Sequence, residues 1–349
     1  MTSRTPIRNV AVIGAGYWGS HLIRNLSALP GASLRAVCDR NSEALRQAAA
    51  RYQVETTTDL SEICDRSEIE AVFVATPADT HFEVARQCLI ADKHVFVEKP
   101  LATAVNDARV LGETAARVNR ILMVGHLFQY EPATLKLIDL AASGAIGTLR
   151  YSRAVRTSMS GTVRLDIDII WDALIHDAYI QAELFGRAPD RVLVVGGAYL
   201  RPPIADVAFA TFDFGAGRMA HACAGWYALE KARSLIVVGS DGILAYDGLA
   251  DTPLKRYDRR YVESDQLDPQ GRRHWRWVDA EGEVVPVDAS EPLRDECEHF
   301  LDCIATDSRP RSDGLAGLRS VEIVDACARS AAAGGVWQAI QDTTALAHT

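Results

Sequence analysis

The sequence feature that most constrains the fold is a regular alternation of apolar strands and amphipathic helices over the first 127 residues. Near-continuous apolar strands that alternate with helices are typical of a parallel sheet covered by helices on both faces. We therefore predict a doubly wound α/β domain at the start of the chain. Its predicted strands span residues 8–13, 33–38, 71–75, 94–97 and 121–125, and its predicted helices span residues 17–29, 42–51, 79–90 and 104–118.

The rest of the chain has a different pattern, in which several strands are joined by glycine-containing turns. Such turns favour antiparallel pairing. With about 150 residues per domain as the expectation, a chain of 349 residues divides into two domains, which we place at residues 1–127 and 128–349. The second is predicted to be an α+β domain with a large, mostly antiparallel sheet. Its predicted strands span residues 148–158, 191–200, 206–214, 218–226, 234–239 and 243–247, with covering helices at 171–184 and 293–306.

Three glycines, Gly14, Gly16 and Gly19, form the pattern G-x-G-x-x-G between the first strand and the first helix. At these positions the first glycine permits a tight turn, the second lets the backbone approach a pyrophosphate, and the third allows the helix to pack closely on the strand. The amino end of the helix then faces the anion. The pattern predicts a dinucleotide site that includes Tyr17 and Trp18 in the same turn.

Asp39 follows the second strand, 20 residues after Gly19. A carboxylate there can accept hydrogen bonds from the hydroxyls of the adenosine ribose, and it would repel a 2′-phosphate. Arg40, the next residue, can stack on the adenine or pair with such a phosphate. The two residues together favour NAD over NADP as the cofactor and leave NADP as the alternative.

Polar residues also follow the other predicted strands of the first domain. Ligands of doubly wound sheets lie beyond the carboxyl ends of the strands, so these residues are expected to line one crevice and to contact the cofactor. They are Thr76, Pro77 and His81 after the third strand, Glu98 and Lys99 after the fourth, and Gln129 after the fifth.

Lys99 is distinctive because it follows a buried apolar strand directly and is itself followed by Pro100. It cannot swing freely into solvent, and a partly desolvated lysine is suited to proton transfer. The alternative is a structural role, in which Lys99 pairs with a nearby carboxylate such as Glu98.

Asp172 and His176 form a second candidate group for proton transfer, four residues apart in a predicted helix. Residues at this spacing lie on one face of a helix. A carboxylate beside an imidazole is suited to moving a proton. The alternative is a histidine on the helix surface that is merely paired with its acidic neighbour.

Four segments resemble the Gfo/Idh/MocA family, which is named after glucose–fructose oxidoreductase, inositol dehydrogenase and a rhizopine-catabolism protein. The resemblance extends to residues 238–244 and 291–335 and so covers most of the chain. The four segments are Ala-Val-Ile-Gly-Ala-Gly-Tyr-Trp-Gly at 11–19, Ala-Thr-Pro-Ala-Asp-Thr-His at 75–81, Lys-His-Val-Phe-Val-Glu-Lys-Pro-Leu-Ala at 93–102 and Gly-His-Leu-Phe-Gln-Tyr at 125–130.

The resemblance implies an NAD(P)-dependent dehydrogenase or ketoreductase that acts on a CH–OH group of a sugar, a sugar nucleotide or a cyclitol. It implies that Lys99 and His176 exchange the substrate proton, that Asp172 orients His176, and that the Lys99–Pro100 peptide bond is cis. Residues 169–171 are Ile-Ile-Trp, where the family commonly has three glycines. This departure resembles a subgroup that acts on sugars and sugar nucleotides.

Two other functions remain open. One is a sensor that binds a dinucleotide without catalysis, and the other is an enzyme that keeps its NAD bound and uses it for a redox-neutral reaction. A sensor has no need to keep Lys99, Asp172 and His176 together, so their presence favours an enzyme. Only kinetics would distinguish the redox-neutral reaction from net oxidation.

The predicted substrate contacts are Lys99, Asp172 and His176 together with three further side chains, Arg156, Arg164 and Tyr179. Surface salt bridges explain the two arginines nearly as well. The segment 256–277 is rich in arginine and aromatic residues. It is consistent with recognition of a phosphorylated or nucleotide-linked sugar, but a solvated edge hairpin is the favoured interpretation.

Composition sets the broad class of the protein. A net charge of −9 disfavours a nucleic-acid partner, and the sequence contains neither a membrane span nor an apolar leader, so a membrane partner is not expected. Seven widely spaced cysteines indicate reduced thiols and a cytoplasmic location, and no metal site is predicted. The uncovered sheet face, together with the resemblance, predicts a homodimer or homotetramer that forms through the sheet of the second domain.

Overall fold

The computed structural model describes residues 7–159, 166–278 and 280–340, and these residues form two compact units. The first unit contains residues 7–131 and 290–325. The second contains the described residues between 132 and 289 together with residues 326–340. The sequence alone suggests a single boundary at residue 127, whereas in the structure the chain leaves the first unit after residue 131 and returns to it at residue 290.

The first unit is built on a parallel sheet with helices between its strands, which confirms the predicted doubly wound fold. Its strands are β1 (Arg8–Ile13), β2 (Ala32–Cys38), β3 (Glu55–Thr57), β4 (Ala71–Val74), β5 (His94–Glu98) and β6 (Leu122–Gly125). Its first helices are α1 (Tyr17–Ala28), α2 (Ser42–Tyr52), α3 (Leu60–Asp65), α4 (His81–Ile90) and α5 (Val105–Arg117). The strand order is β3-β2-β1-β4-β5-β6, and every pair is parallel.

Two elements of this unit, β3 and α3, were not predicted. β3 is a three-residue edge strand of sequence Glu-Thr-Thr, so it lacks the apolar run that identifies the inner strands. α3 has six residues and begins after Asp59, whose carboxylate accepts a hydrogen bond from the backbone N–H of Ser61 at 2.8 Å. Both elements are too short for a periodic pattern to stand out.

The second unit contains a nine-stranded sheet and a separate hairpin. Its helices are α6 (Pro132–Ala142) and α7 (Ile175–Phe185), and a π-helical turn (Ile170–Leu174) leads into α7. The large sheet contains β7 (Leu149–Met159), β8 (Arg191–Gly197), β9 (Val207–Asp213), β10 (Met219–Gly225), β11 (Tyr227–Gly239), β12 (Ile243–Asp247), β13 (Leu254–Tyr257), β16 (Glu283–Val284) and β17 (Gln338–Ala339). The hairpin contains β14 (Arg260–Leu267) and β15 (Arg273–Val278).

The order of the large sheet is β16-β13-β12-β11-β7-β10-β9-β8-β17. β7 and β10 pair in parallel and the other neighbours are antiparallel, which confirms a mostly antiparallel sheet. Side chains alternate between two faces: Ala208, Ala210 and Phe212 are fully buried, whereas Phe209 is 51% exposed. α6 and α7 pack on the buried face.

The arginine-rich segment forms the β14–β15 hairpin, which is a two-stranded sheet of its own and does not extend the large one. Tyr261 and Trp275 are exposed. Arg272 pairs with Asp268 at 2.7 Å, and Arg273 pairs with Glu263. Acidic residues of the same hairpin therefore satisfy both arginines, in agreement with the favoured interpretation of a solvated hairpin.

The chain returns to the first unit in α8 (Pro292–Thr306) and the first part of α9 (Gly314–Ala332). Leu293, Cys297 and Phe300 are buried at helical spacing. The ring of Phe300 lies 5.2 Å from that of Phe73 on β4 and 6.0 Å from that of Phe96 on β5. α8 belongs to the first unit because its apolar stripe completes the core above these two strands. None of the helices in the described ranges is both long and apolar enough to cross a membrane.

Candidate functional site

The glycine turn after β1 has the geometry that its sequence predicts. Gly14 has a φ of +97°, and a side chain there would place Cβ 2.5 Å from the carbonyl oxygen of Ala75. A Cβ on Gly19 would lie 1.9 Å from the carbonyl oxygen of Gly14, so only glycine lets α1 approach the turn. Gly16 differs, because its Cβ position is open to more than 4 Å on an exposed surface. A ligand can therefore approach the backbone at Gly16.

α1 begins directly after Gly16, and the described structure shows neither a capping side-chain hydrogen bond nor an acidic residue in its first turn. A helix start of this kind leaves backbone N–H groups and a partial positive charge for an anion. Tyr17 is 75% exposed and its ring packs edge-on against Trp18 at 5.6 Å. The turn thus offers backbone donors and two aromatic rings beside an open surface.

Asp39 connects the end of β2 to the glycine turn. One carboxylate oxygen accepts a hydrogen bond from the backbone N–H of Ala15 at 2.5 Å, and the other accepts one from Asn41 at 2.7 Å. Each oxygen keeps further acceptor capacity, since a carboxylate offers about four lone-pair positions. Asp39 is half-buried and Arg40 is exposed. The carboxylate is thus fixed in place and still able to accept from ribose hydroxyls.

His81, at the start of α4, joins two loops at the carboxyl ends of the strands. Its Nδ1 lies 2.7 Å from the carbonyl oxygen of Pro100, and its Nε2 lies 2.9 Å from that of Thr76. The side chain is only 1% exposed. His81, one of the residues predicted to contact the cofactor, therefore has a structural role in joining the two loops. Of the two other predicted contacts in this loop, Thr76 is half-buried and Pro77 is exposed.

Lys99 directly follows β5 and is 6% exposed, and Glu98, the last residue of that strand, is 7% exposed. The Lys99–Pro100 peptide bond is cis, which confirms the prediction from the resemblance. A buried lysine at the carboxyl end of an inner strand is held in one place by its surroundings. Its position agrees with both the catalytic and the structural interpretation.

His126, after β6, was not among the predicted site residues. Burial, and secondarily the positive charge of nearby Lys99, lowers the pKa of His126 to about 3, so the ring is neutral. Its Nε2 lies 2.9 Å from the hydroxyl of Ser320, which donates its own proton to the carbonyl oxygen of Ala316. The Ser320 hydroxyl thus links the neutral ring of His126 to the backbone of α9. Gln129 lies in the 3-10 turn that follows and is 7% exposed.

Glu296 of α8 is a second residue to which no sequence pattern pointed. It is 1% exposed, and among the described residues its Oε1 has no hydrogen-bond partner. Burial, with the Glu98 carboxylate as a second cause, raises the pKa of Glu296 well above its ordinary value. A carboxyl group whose neutral form is favoured by burial thus lies close to Glu98, the residue that precedes Lys99.

Asp172 and His176 lie in the π-helical turn and in α7 respectively, not in one continuous α-helix as predicted. From Ile169 to Gln181 the residues with partial exposure are Trp171, Asp172, Ala173 and His176. The carboxylate and the imidazole therefore lie on the accessible face of an otherwise buried helix. π-helical turns occur frequently at functional sites.

One distant side chain, Trp226, and one neighbouring side chain, Asp168, support this helix start. The indole Nε1 of Trp226, which is 6% exposed, donates a hydrogen bond to Oδ2 of Asp172 at 3.2 Å. Asp168 accepts hydrogen bonds from the backbone N–H groups of Ile170 and Trp171 at 3.0 and 3.1 Å. Burial, aided by the Asp172 charge, raises the pKa of Asp168. No sequence pattern pointed to Trp226 or Asp168.

Arg156, a predicted substrate contact, forms a two-pronged ion pair with Asp177 of α7, with N–O distances of 3.1 and 3.0 Å. The two side chains are 14% and 5% exposed, so this is a buried pair and not a surface salt bridge. Tyr179 is 5% exposed. Arg164 lies outside the described residues.

The candidate residues of the first unit thus lie where strands of one parallel sheet end. The open backbone at Gly16, the uncapped start of α1 and the fixed Asp39 carboxylate fit the pyrophosphate and ribose of a dinucleotide. In residues 7–159, 166–278 and 280–340, no cluster of three or more His, Cys, Asp or Glu side chains is placed to hold a metal ion.

Two family models match the chain. Residues 8–126 match the NAD-binding Rossmann fold of the Gfo/Idh/MocA oxidoreductase family, and residues 169–339 match the C-terminal α/β domain of the same family. The two matches cover most of both units.

Individual proteins show the same relationship. The chain is 30% identical to a UDP-N-acetylglucosamine 3-dehydrogenase of Acidithiobacillus ferrooxidans over 308 aligned residues. The alignment covers 88% of this chain and 92% of that protein. A solved structure of that dehydrogenase superposes with a TM-score of 0.80 at 28% identity and covers 93% of this chain and 98% of the other. An inositol 2-dehydrogenase of Rubrobacter xylanophilus is 34% identical over 140 residues, or 40% of each chain.

Proposed function

Because this chain belongs to the Gfo/Idh/MocA family of oxidoreductases, we propose that it transfers a hydride between a nicotinamide cofactor and a CH–OH group of a sugar, sugar nucleotide or cyclitol. The observation that supports this most directly is the burial of Lys99 directly after β5. This places Lys99 at the carboxyl ends of the same parallel strands as the glycine turn, whose open backbone fits a dinucleotide. The accessible pair of Asp172 and His176 supplies a second group suited to proton transfer.

The proposed cofactor is NAD. Gly14, Gly16 and Gly19 with the start of α1 would hold its pyrophosphate, and Asp39 would accept hydrogen bonds from its adenosine ribose. A carboxylate that the backbone fixes on both oxygens opposes a 2′-phosphate at that position. Arg40 is exposed and can stack on the adenine. The other proposed cofactor contacts are Tyr17, Trp18, Thr76, Pro77, His81, Glu98, Lys99 and Gln129.

The bound nicotinamide supplies the hydride acceptor or donor, and the protein manages the proton. In the oxidation direction we assign acceptance of the hydroxyl proton to Lys99 and His176, so that no full alkoxide forms. Asp172 orients His176, while Trp226 holds Asp172 through its indole N–H. In the reduction direction the same groups donate the proton, and the lysine charge stabilises the carbonyl oxygen.

The proposed substrate class rests on the relatives that act on a sugar nucleotide and on a cyclitol. Arg156, Arg164 and Tyr179 are the proposed further contacts. Arg156 is already paired with Asp177, so its proposed role is to present a fixed guanidinium edge. We also propose a cytoplasmic location, because all seven cysteines of the chain are free thiols.

The proposed assembly is a homodimer or homotetramer through the open face of the large sheet. Exposed apolar side chains lie side by side on neighbouring strands of this face. Val195 is paired with Phe209, and Met219 is paired with Tyr151. Their exposures lie between 41% and 51%. Large exposed apolar side chains on one face of a sheet are expected where another protein covers that face. Light scattering after size-exclusion chromatography tests this: Phe209→Asp should lower the mass to that of a smaller species, and an unchanged mass would exclude this face.

The function is tested on the purified full chain. We expect saturable binding of NAD, weaker binding of NADP, and NADH formation with at least one compound from a panel of sugars, sugar nucleotides and inositols. Asp39→Ala should reduce the preference for NAD over NADP. Dinucleotide binding without turnover of any compound would favour a sensor, and turnover without net NADH would favour the redox-neutral enzyme. Absence of dinucleotide binding would contradict all three functions.

A further inference from the structure

Asp206, directly before β9, lies where four segments of the second unit meet, and it is fully buried. Its backbone N–H donates a hydrogen bond to the carbonyl oxygen of Gly197, at the end of β8, at 2.9 Å. Its own carbonyl oxygen accepts one from the backbone N–H of Trp226, after β10, at 2.8 Å. The carbonyl oxygen of neighbouring Ala205 accepts one from the backbone N–H of Ile169 at 3.0 Å. Residues 205 and 206 thus connect the ends of two strands to the start of the π-helical turn.

Both partners of the hydrogen bond between Trp226 and Asp172 depend on this junction. The indole Nε1 of Trp226 donates to Oδ2 of Asp172 at 3.2 Å. The backbone of Trp226 is held by residue 206, and the segment that leads to Asp172 is held at Ile169 by residue 205. A shift of residues 205 and 206 would therefore change the separation of the indole and the carboxylate from both sides. Hydrogen bonds weaken steeply when their geometry is disturbed.

The carboxylate of Asp206 fixes the junction from a further direction. Its Oδ2 accepts hydrogen bonds from the backbone N–H groups of Tyr199 and Leu200 at 2.8 and 2.6 Å. Residues 201–203, which complete the loop between β8 and β9, are exposed. Hydrogen bonds to a charged acceptor are stronger than neutral ones, and a buried acceptor without its donors is costly. The carboxylate therefore anchors an exposed loop to the residue from which Trp226 is held.

We propose that Asp206 is a positioning residue of the reaction, which acts through Trp226 and Asp172 without contact to substrate or cofactor. The inference rests on the proposed function, in which Asp172 orients His176. Loss of the carboxylate releases the loop, residues 205 and 206 shift, and the indole no longer holds Asp172. Proton transfer then slows, while cofactor binding by the first unit is unchanged.

The proposed role requires an acceptor at one oxygen and does not require the charge. Oδ2 accepts both hydrogen bonds, whereas Oδ1 has no hydrogen-bond partner among the described residues. The amide oxygen of asparagine can take the place of Oδ2. Leucine has a similar shape but accepts no hydrogen bond. Asp206→Asn should therefore keep the junction, and Asp206→Leu should release it.

The placement is tested first without a substrate, by NMR of the full chain labelled with [15N]tryptophan. The indole N–H signal of Trp226 is identified by its absence in Trp226→Phe. We expect this signal to shift in Asp172→Asn and in Asp206→Leu, and to keep its wild-type position in Asp206→Asn. If the leucine variant does not fold, Asp206→Ser replaces it, because the serine oxygen lies one bond closer to the backbone. An unchanged signal in the leucine or serine variant would overturn the proposal, whether or not the proposed function holds.

Kinetics then test the effect on the reaction. Asp206→Leu should lower kcat/KM by about tenfold, as expected for loss of a hydrogen bond to a charged group, and leave the Kd for NAD unchanged. Asp206→Asn should retain wild-type kinetics. In the Asp172→Asn background, Asp206→Leu should cause little further loss, because both changes act on one contact. Losses that multiply, or equal losses in Asp206→Asn and Asp206→Leu, would overturn the proposal.

Asp213→Leu is the matched control, because Asp213 lies at the other end of β9 and also holds a turn. Its Oδ1 accepts a hydrogen bond from the backbone N–H of Gly215 at 2.9 Å. The control variant should keep the Trp226 signal and wild-type kinetics. A purely structural role of Asp206 would lower the free energy of unfolding and leave the Trp226 signal and kcat/KM of the folded variant at wild-type values, which would contradict the proposal.

Discussion

The two units place their candidate residues by different means. In the first unit, the residues follow the ends of parallel strands and are fixed by neighbouring loops, as Asp39 is by Ala15 and His81 is by Thr76 and Pro100. In the second unit, Asp172 depends on Trp226, which is 54 residues further along the chain. Short motifs therefore encode the candidate residues of the first unit. In the second unit, Asp172 gains its hydrogen bond from Trp226 only when the strand before Trp226 has been placed by folding of the large sheet.

The largest expected effect tests whether Lys99, a motif residue of the first unit, acts in chemistry or only in cofactor binding. Lys99→Ala should lower kcat by about 10²–10⁴-fold, the range for loss of a general acid–base group, and leave the Kd for NAD largely unchanged. Steady-state kinetics and calorimetric titration measure the two quantities. Equal loss of turnover and NAD binding would mean that Lys99 only binds the cofactor or supports the fold.

The same experiment can be extended to the second unit. His176→Asn should also lower kcat, and the double variant should lose little more than the worse single variant if both residues act on one proton transfer. Independent, multiplying losses would instead assign the two residues to separate steps. This double-variant cycle tests whether Lys99 of the first unit and His176 of the second unit act in the same reaction step.

The next effect concerns the buried ion pair of the second unit. Arg156→Leu leaves Asp177 charged and buried, and it should lower the free energy of unfolding by about 3–5 kcal/mol. Replacing Asp177 by leucine as well should restore a large part of the loss. Arg273→Leu is the control, because the pair of Arg273 with Glu263 is exposed and screened by solvent, so its loss should destabilise the protein far less. The free energy of unfolding of each variant is measured with a denaturant. Equal losses in Arg156→Leu and Arg273→Leu would contradict the assignment of Arg156 and Asp177 as a buried ion pair.

A pH experiment compares a histidine in each unit. The folded pKa of His126 is about 3, below its ordinary value of 6.5, so its contribution to stability is present above pH 6.5 and is lost as the pH falls. Between pH 6.5 and 4 the loss should be about 3 kcal/mol. The difference in unfolding free energy between wild type and His126→Asn should shrink accordingly. For His221→Asn, the difference in unfolding free energy from the wild type should depend less on pH. Burial lowers the pKa of His221 too, but this side chain is exposed, whereas His126 is buried.

The smallest expected effect tests the long-range contact in the second unit. Trp226→Phe removes the N–H donor to Asp172 and keeps most of the ring, so kcat/KM should fall by about tenfold, in line with a hydrogen bond to a charged group. NAD binding should not change. Asp172→Asn should cause at least the same loss. A Trp226→Phe enzyme with wild-type kinetics would show that this contact has no part in orienting Asp172.

The fold of the first unit could be predicted almost completely from the sequence. Apolar strands, Gly14 and Asp39 all have local signatures, and the cis Lys99–Pro100 bond follows from the family motif. Glu296 could not be predicted, because its importance arises from burial beside Glu98, about two hundred residues earlier in the chain. A glutamate in an amphipathic helix is normally expected on its solvent face.

In the second unit the sequence predicted six strands of the large sheet, β7 to β12, and the Asp172–His176 spacing. It did not predict α6, the short strands β13, β16 and β17, or the contacts that support Asp172. No sequence pattern pointed to Asp177, which is buried with Arg156. Trp226 carries no motif, although the N–H of a buried tryptophan usually finds a hydrogen-bond partner, as it does here in Asp172. These contacts are set by tertiary packing, which periodicity does not describe.

The return of α8 to the first unit affects the order in which the protein can mature on the ribosome. Residues 7–131 emerge from the ribosome before Phe300, which packs on Phe73 and Phe96 but is synthesised about two hundred residues after them. The nascent nucleotide-binding unit must therefore wait, with part of its apolar surface uncovered, until most of the second unit has been translated.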